Sequence, residues 1–180
     1  MKLMFISDIH GSYYYLNKAL EAYYNEKPDK LILLGDLLYH GPRNDLPKEY
    51  APKKVIPVLN SLKNKIIAVR GNCDAEVDQM VLDFPMMADY ATIDVDGHHF
   101  FLSHGHLFNE ENLPNLNEGD IFVYGHIHRP VAKCKNGIYI INPSSISLPK
   151  EGRNSYGIYE DDKFIIKEFD NTIVKEIIIK

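Results

Sequence analysis

Short, uninterrupted apolar runs punctuate the chain at Leu3–Ile6, Leu31–Leu34, Ile66–Val69, Phe100–Leu102 and Ile121–Tyr124. Runs of this length without alternation suit strands buried on both faces, in sheets covered by other layers. After the first run the period changes. Leu16, Ala19, Leu20 and Tyr23 fall at helical spacing behind Ser12, a capping residue, and Pro28 lies beyond the end. This predicts a β-α-β crossover. The stretch from Leu37 to Lys65 holds four prolines, so a loop is expected first. A shorter helix should follow around Val55–Leu62, with Pro57 near its start. A third helix is predicted over Ala75–Leu82. From Tyr90 onward the texture is hairpin-like: Ala91–Val95, the turn Asp96-Gly97, then His98–Leu102. The tail repeats it with Ser155–Tyr159, Phe164–Phe169 and Thr172–Ile179. An α/β first half and a β-rich second half predict two packed mixed β-sheets flanked by helices.

The length of 180 residues implies one domain spanning residues 1–180. Hydrophobic residues at 45% and charged residues at 25% exclude a disordered or low-complexity chain. Twenty basic against twenty-five acidic residues give a net charge of −5, so no global field attracts a phosphate backbone and nucleic acid is not an expected partner. Cys73 and Cys134 lie far apart and form no pairing motif, which fits a reducing cytoplasm. No apolar stretch reaches the length of a membrane span. An alternating tail strand leaves a homo-oligomer open.

The candidate chemistry lies in the loop after each run. The first run leads to Asp8 and His10, the second to Asp36, the third to Asn72, the fourth to His104, and the fifth to His126 and His128. Loops at the carboxyl ends of parallel strands share one edge of a sheet, where open α/β folds bind ligands. All seven residues are oxygen or imidazole donors. They suffice for two divalent ions if one carboxylate bridges, and the lack of thiolate ligands argues against structural zinc. The donor types favour Mn²⁺ and also accept Ni²⁺, Fe or catalytic Zn²⁺.

The series Asp8-Ile9-His10, Gly35-Asp36, Gly71-Asn72-Cys73-Asp74, His104 and Gly125-His126-Ile127-His128 resembles the motifs of the calcineurin-like metallophosphoesterases. Three further segments are similar to loops of the YfcE-type phosphodiesterases within that family. They are Leu38 to Asn44, Ser103 to Phe108, and Asn142 to Ser145 followed by Pro149-Lys150. The resemblance implies a four-layer αββα sandwich. It implies one ion on Asp8, His10, Asp36 and His128, and another on Asp36, Asn72, His104 and His126. It also implies hydrolysis of a small-molecule phosphodiester by a hydroxide bridging the two ions. A phosphomonoesterase or nucleotide phosphatase on the same centre is the alternative. A binding scaffold, as in the retromer subunit of similar fold that has lost ligands, is a more distant one.

One position departs from the wider family, which has histidine where this chain has Cys73. The general acid is therefore unassigned, and the thiol is either a thiolate beside the cations or a packing residue. Arg43 is the expected phosphate clamp. His106 and His40 lie close enough in sequence to contact a phosphoryl oxygen or orient a ligand. The expected catalytic set is Asp36, Asn72, Cys73, Arg43 and His106.

Overall fold

The computed structural model describes all residues, Met1–Lys180. In chain order the elements are β1 (Leu3–Ile6), α1 (Tyr13–Glu26), β2 (Lys30–Leu33), α2 (Pro52–Ser61), β3 (Ile66–Ala68), α3 (Glu76–Gln79), β4 (Tyr90–Val95) and β5 (His98–Ser103). They continue with β6 (Ile121–Tyr124), β7 (Pro130–Lys135), β8 (Ile138–Pro143), β9 (Ser155–Glu160), β10 (Lys163–Glu168) and β11 (Ile173–Ile178). One sheet has the order β11-β10-β9-β1-β2-β3 and the other β4-β5-β6-β8-β7. Strands β1, β2 and β3 run parallel, as do β5, β6 and β8. Antiparallel partners complete both sheets.

The unbroken apolar runs are explained by this layering. In β1, Met4 and Ile6 pack toward the helices with Leu16, Ala19, Val55 and Leu59, while Leu3 and Phe5 enter the core between the sheets. Leu31 and Leu33 of β2 turn toward the helices, and Ile32 and Leu34 turn toward the other sheet. There they meet Phe100, Leu102, Ile121 and Val123. Both faces of these strands are dry, so neither can carry polar residues.

Two mixed sheets flanked by helices is thus the architecture. The fourth layer is irregular: the outer face of the second sheet, with Phe101, Phe122 and Tyr124, is covered by Phe108, Leu113 and Leu116 from the loop after β5. Asn, Pro and Gly punctuate that loop and prevent a helix.

Helix α1 begins at Ser12, whose Oγ accepts from the Tyr15 amide at 3.2 Å, and ends at Lys27 in the left-handed region. Helix α2 differs from expectation by starting at Pro52, which places Pro57 inside it. The missing donor at Pro57 leaves the carbonyl of exposed Lys53 to solvent, so the helix tolerates it. Helix α3 is also shorter than expected. Gln79 ends it by bonding Leu82 O, Phe84 O and the Met86 amide, which ties down the loop beyond it. The β7–β8 hairpin was not anticipated, although Asn136-Gly137 with φ of 53° and 78° is a strong turn signal. No helix is long and apolar enough to cross a membrane.

Candidate metal centre

The carboxyl ends of β1, β2, β3, β5 and β6 bring all seven expected donors into one cluster. The local backbone is unusual there. Asp8, His10, Asp36, His126 and His128 adopt φ values of 56°, 48°, 56°, 66° and 55°. Non-glycine residues avoid this region, and such strain concentrates where the surrounding structure fixes a functional geometry. The motif glycines have steric causes. A Cβ on Gly71 would strike the Asp36 carboxylate, and one on Gly125 would strike Ser7 Oγ.

Hydrogen bonds orient each donor. Asp8 Oδ2 accepts from Ser7 Oγ at 2.5 Å and from the His126 amide at 3.1 Å, which leaves Oδ1 to face His128 Nε2 at 3.0 Å. Asp36 Oδ1 accepts from the Cys73 amide at 2.8 Å. Its Oδ2 then lies 3.7 Å from His10 Nε2 and 3.5 Å from His104 Nε2. The Nδ1–H groups of His10, His104 and His128 donate to the carbonyls of Tyr39, Leu34 and Leu148 at 2.8, 2.7 and 2.6 Å. These bonds fix the tautomer and turn every Nε2 lone pair inward.

The consequence is a set of acceptors facing one another. His10 Nε2 and His128 Nε2 are 3.4 Å apart, and His104 Nε2 is 3.1 Å from Asn72 Oδ1; His126 Nδ1, whose tautomer no second bond fixes, is 3.2 Å from His104 Nε2 and can also donate to it. Lone pairs this close repel unless a cation or a proton lies between them, so the donor set fits divalent ions. Three groups of donors converge: Asp8 with His10 and His128, Asp8 with Asp36 and His104, and His10 with Asp36 and Cys73.

Protonation responds to the same field. Burial alone would raise Asp8, but the His128 hydrogen bond and the charges of His104, His128 and His10 hold it well below the carboxylate range. Burial opposes a charge on His104, yet Asp36 and Asp8 push it up to about 9. Burial and the His104 charge push His126 down to about 4.

Residues outside the expected donor set brace the centre. Buried Asp74 accepts from the amides of Asp36, Leu37 and Gly71 at 2.8, 2.8 and 2.7 Å, clamping the β2 loop to the β3 loop. Asn142 donates to Gly125 O at 2.6 Å. Ser145 and Ser147 donate to the carbonyls of Asp8 and Ile9 at 2.9 and 2.7 Å. The Asn142-Pro143-Ser144-Ser145 segment was the available signal, but its partners are remote in sequence.

A cavity of about 520 Å³ opens over the cluster, lined among others by His10, Asp36, Asn72, Cys73, His126 and His128. Arg43 reaches it as expected, and Arg129 and Lys150 reach it unanticipated. Burial, with the Asp36 and Asp74 charges, pushes the Cys73 thiol up to about 12, the opposite direction to the pull that cations in the centre would exert. His106 does not line this cavity. Its ring lies 5.5 Å from that of His104 and borders a second cavity that meets the first at His126 and Ile127.

Residues 1–163 match the family model of the calcineurin-like phosphoesterase superfamily domain. Phosphodiesterase YfcE of Escherichia coli K12 is 49% identical over 181 residues, covering 99% of this chain and 98% of that protein. The solved structure of YfcE, a phosphoesterase from E. coli, superposes with a TM-score of 0.98 at 48% identity, and both chains are covered completely (100%). A phosphodiesterase of Methanocaldococcus jannaschii is 25% identical over 183 residues, covering 97% of this chain and 100% of that protein. Vps29 of Entamoeba histolytica shares the fold, with a TM-score of 0.66 at 18% identity and 100% of each chain covered. With its motifs, donor cluster and two-sheet architecture accounted for together, the chain belongs to the calcineurin-like phosphoesterase superfamily.

Proposed function

We propose that residues 1–180 act as one hydrolase domain that cleaves phosphodiesters at a centre of two divalent ions, Mn²⁺ by preference. Ni²⁺, Fe and Zn²⁺ also suit the oxygen and imidazole donors. The observation that carries this reading is the position of Asp36 Oδ2, 3.7 Å from His10 Nε2 and 3.5 Å from His104 Nε2. Asp8, His10, Asp36 and His128 would hold one ion, and Asp36, Asn72, His104 and His126 the other. When bound, such ions supply Lewis acidity, making water a stronger acid and neutralising phosphoryl charge.

The chain's own residues do the remaining work. Asp74 and Cys73 N–H hold the Asp36 loop so that one carboxylate oxygen stays directed at the centre. Arg43, Arg129 and Lys150 give the cavity a cationic wall that draws and orients an anionic ester. Cys73 lines the cavity beside the centre, where a thiol would be at most a weak donor. His106, behind His126, would act by orienting its neighbours. The unpaired thiols suit a reducing cytoplasm.

A phosphomonoesterase is the second reading, and the same three cations favour it because a monoester carries an extra charge. Hydrolysis of bis(p-nitrophenyl) phosphate compared with p-nitrophenyl phosphate separates the two. The primary test is chelation: stripping divalent ions should abolish diester hydrolysis and Mn²⁺ should restore it. Chelator-resistant turnover would overturn the reading.

A further inference from the structure

The mouth of the cavity carries more positive charge than one diester needs. Its lining has three cationic side chains, Arg43, Arg129 and Lys150, against the single carboxylate of Asp36, on a chain whose net charge is −5. The neighbouring cavity is different, with Glu110 and Glu111 beside Lys135. Cationic character therefore distinguishes the first cavity from its neighbour. Its volume of about 520 Å³ also exceeds what a phosphoryl group occupies.

The attachment of these cations is fixed by the centre itself. Arg129 directly follows His128, and the Lys150 amide donates to the His128 carbonyl at 2.8 Å. Arg129 Nε pairs with Glu151 at 3.2 Å, which leaves both Nη groups without a protein partner. Lys150 and Arg43 have no carboxylate partner at all. Arg43 comes from the β2 loop, where Asn44 Nδ2 donates to His40 O at 2.8 Å and Gly41 packs near Cys73. An arginine fork and a lysine ammonium together match a phosphate dianion better than a lone carboxylate.

We propose that the substrate is a phosphodiester carrying a second phosphate group on one arm, and that Arg129 and Lys150, assisted by Arg43, hold this second phosphate while the diester lies at the metal centre. The inference rests on the phosphodiesterase reading and adds a substrate class to it.

The test uses two chromogenic esters with one leaving group, thymidine 5′-(p-nitrophenyl phosphate) and its 3′-phosphorylated form. The full-length, Mn²⁺-loaded protein should favour the 3′-phosphorylated ester in kcat/KM by about tenfold to a hundredfold, the range for a charged hydrogen-bonded contact. Combined Arg129→Ala and Lys150→Ala substitution should erase most of this ratio, mainly through KM. Lys175→Ala, which removes one charge from an edge strand, should keep it. Equal use of both esters, or a preference that survives the double substitution, would overturn the proposal. If neither ester is cleaved, the phosphodiesterase reading fails separately. Binding still decides the inference: calorimetric titration should show thymidine 3′,5′-bisphosphate binding more tightly than the 5′-monophosphate, and equal affinities would refute it.

Discussion

The two halves of the donor cluster are built to different depths. Around Asp8, the donors Asp8, His10 and His128 are 0%, 1% and 5% exposed, and each has a second partner that fixes its direction. Around Asn72, His104 and the shared Asp36 are comparably buried. Asn72 is exposed, His126 is half-buried, and the Asn72 amide touches only His104 Nε2 and Cys73 Sγ. A preorganised half binds an ion without ordering its ligands, whereas the open half must order Asn72 on binding. If each half holds an ion, as proposed, one position is deep and rigid and the other adjustable, and donors of both line the cavity that substrate has to enter.

On the proposed assignment Asp36 is the donor shared by both ions, so its loss should have the largest effect. Asp36→Ala should release both ions and lower turnover of an activated diester by more than about 10³-fold, the upper end for removing one preorganised electrostatic group. Two ions per chain with comparable activity would show that the halves do not share this carboxylate. Asn72→Ala tests the asymmetry directly. It should keep one ion bound tightly and weaken the other by up to about 100-fold, as loss of supporting ligands does elsewhere. Mn²⁺ titration of the chelator-treated protein reads the two affinities. Equal weakening of both would erase the distinction.

Ser145→Ala acts on the deep half alone. Ser145 Oγ donates to Asp8 O and accepts from the Ser147 and Leu148 amides at 3.1 and 2.8 Å, so the substitution strands buried groups. It should cost about 1–3 kcal/mol in urea unfolding of the ion-free protein. It should also weaken the tighter ion more than the looser one. Unchanged stability would mean that this loop does not brace Asp8.

The donors were legible because each comes after an apolar run, and a strand dry on both faces ends where its loop must carry the polar chemistry. The depth of each half was not legible. Ser145 and Asn142 read locally as turn residues, and their work is done on Asp8 and Gly125, far along the chain. Lys150 reaches the cavity through a backbone bond to His128, which no local period encodes. The β7–β8 hairpin escaped for another reason. Its outer strand, with Lys133 and Lys135 exposed, lacks the apolar signature that marked the buried strands. Pro57 was expected near a helix start because the true start at Pro52 lies inside a proline-rich stretch that reads as loop.

Cys73 lies between the halves and gives the smallest effect. Its Sγ is near His10 and Asp36 of the deep half, and its neighbour Asn72 belongs to the open one. A thiol donates weakly to a departing oxygen and a thiolate not at all, so the protein should favour diesters with acidic leaving groups. Cys73→His should raise rates on poor leaving groups more than on good ones. The gain should fall below the roughly 10²-fold of a well-placed general acid. The limit is steric: Gly41 packs so closely that a Cβ there would sit 3.0 Å from Sγ, and an imidazole has to displace that loop. A series of aryl diesters graded by leaving-group pKa, run on parent and variant with metal content measured in parallel, reads the effect as a change in slope. A shallower slope with two ions retained places the residue at the leaving group. A parallel drop across the series with a changed ion count would instead make the new ring a ligand of the deep half, and the difference between the halves would then depend on this position.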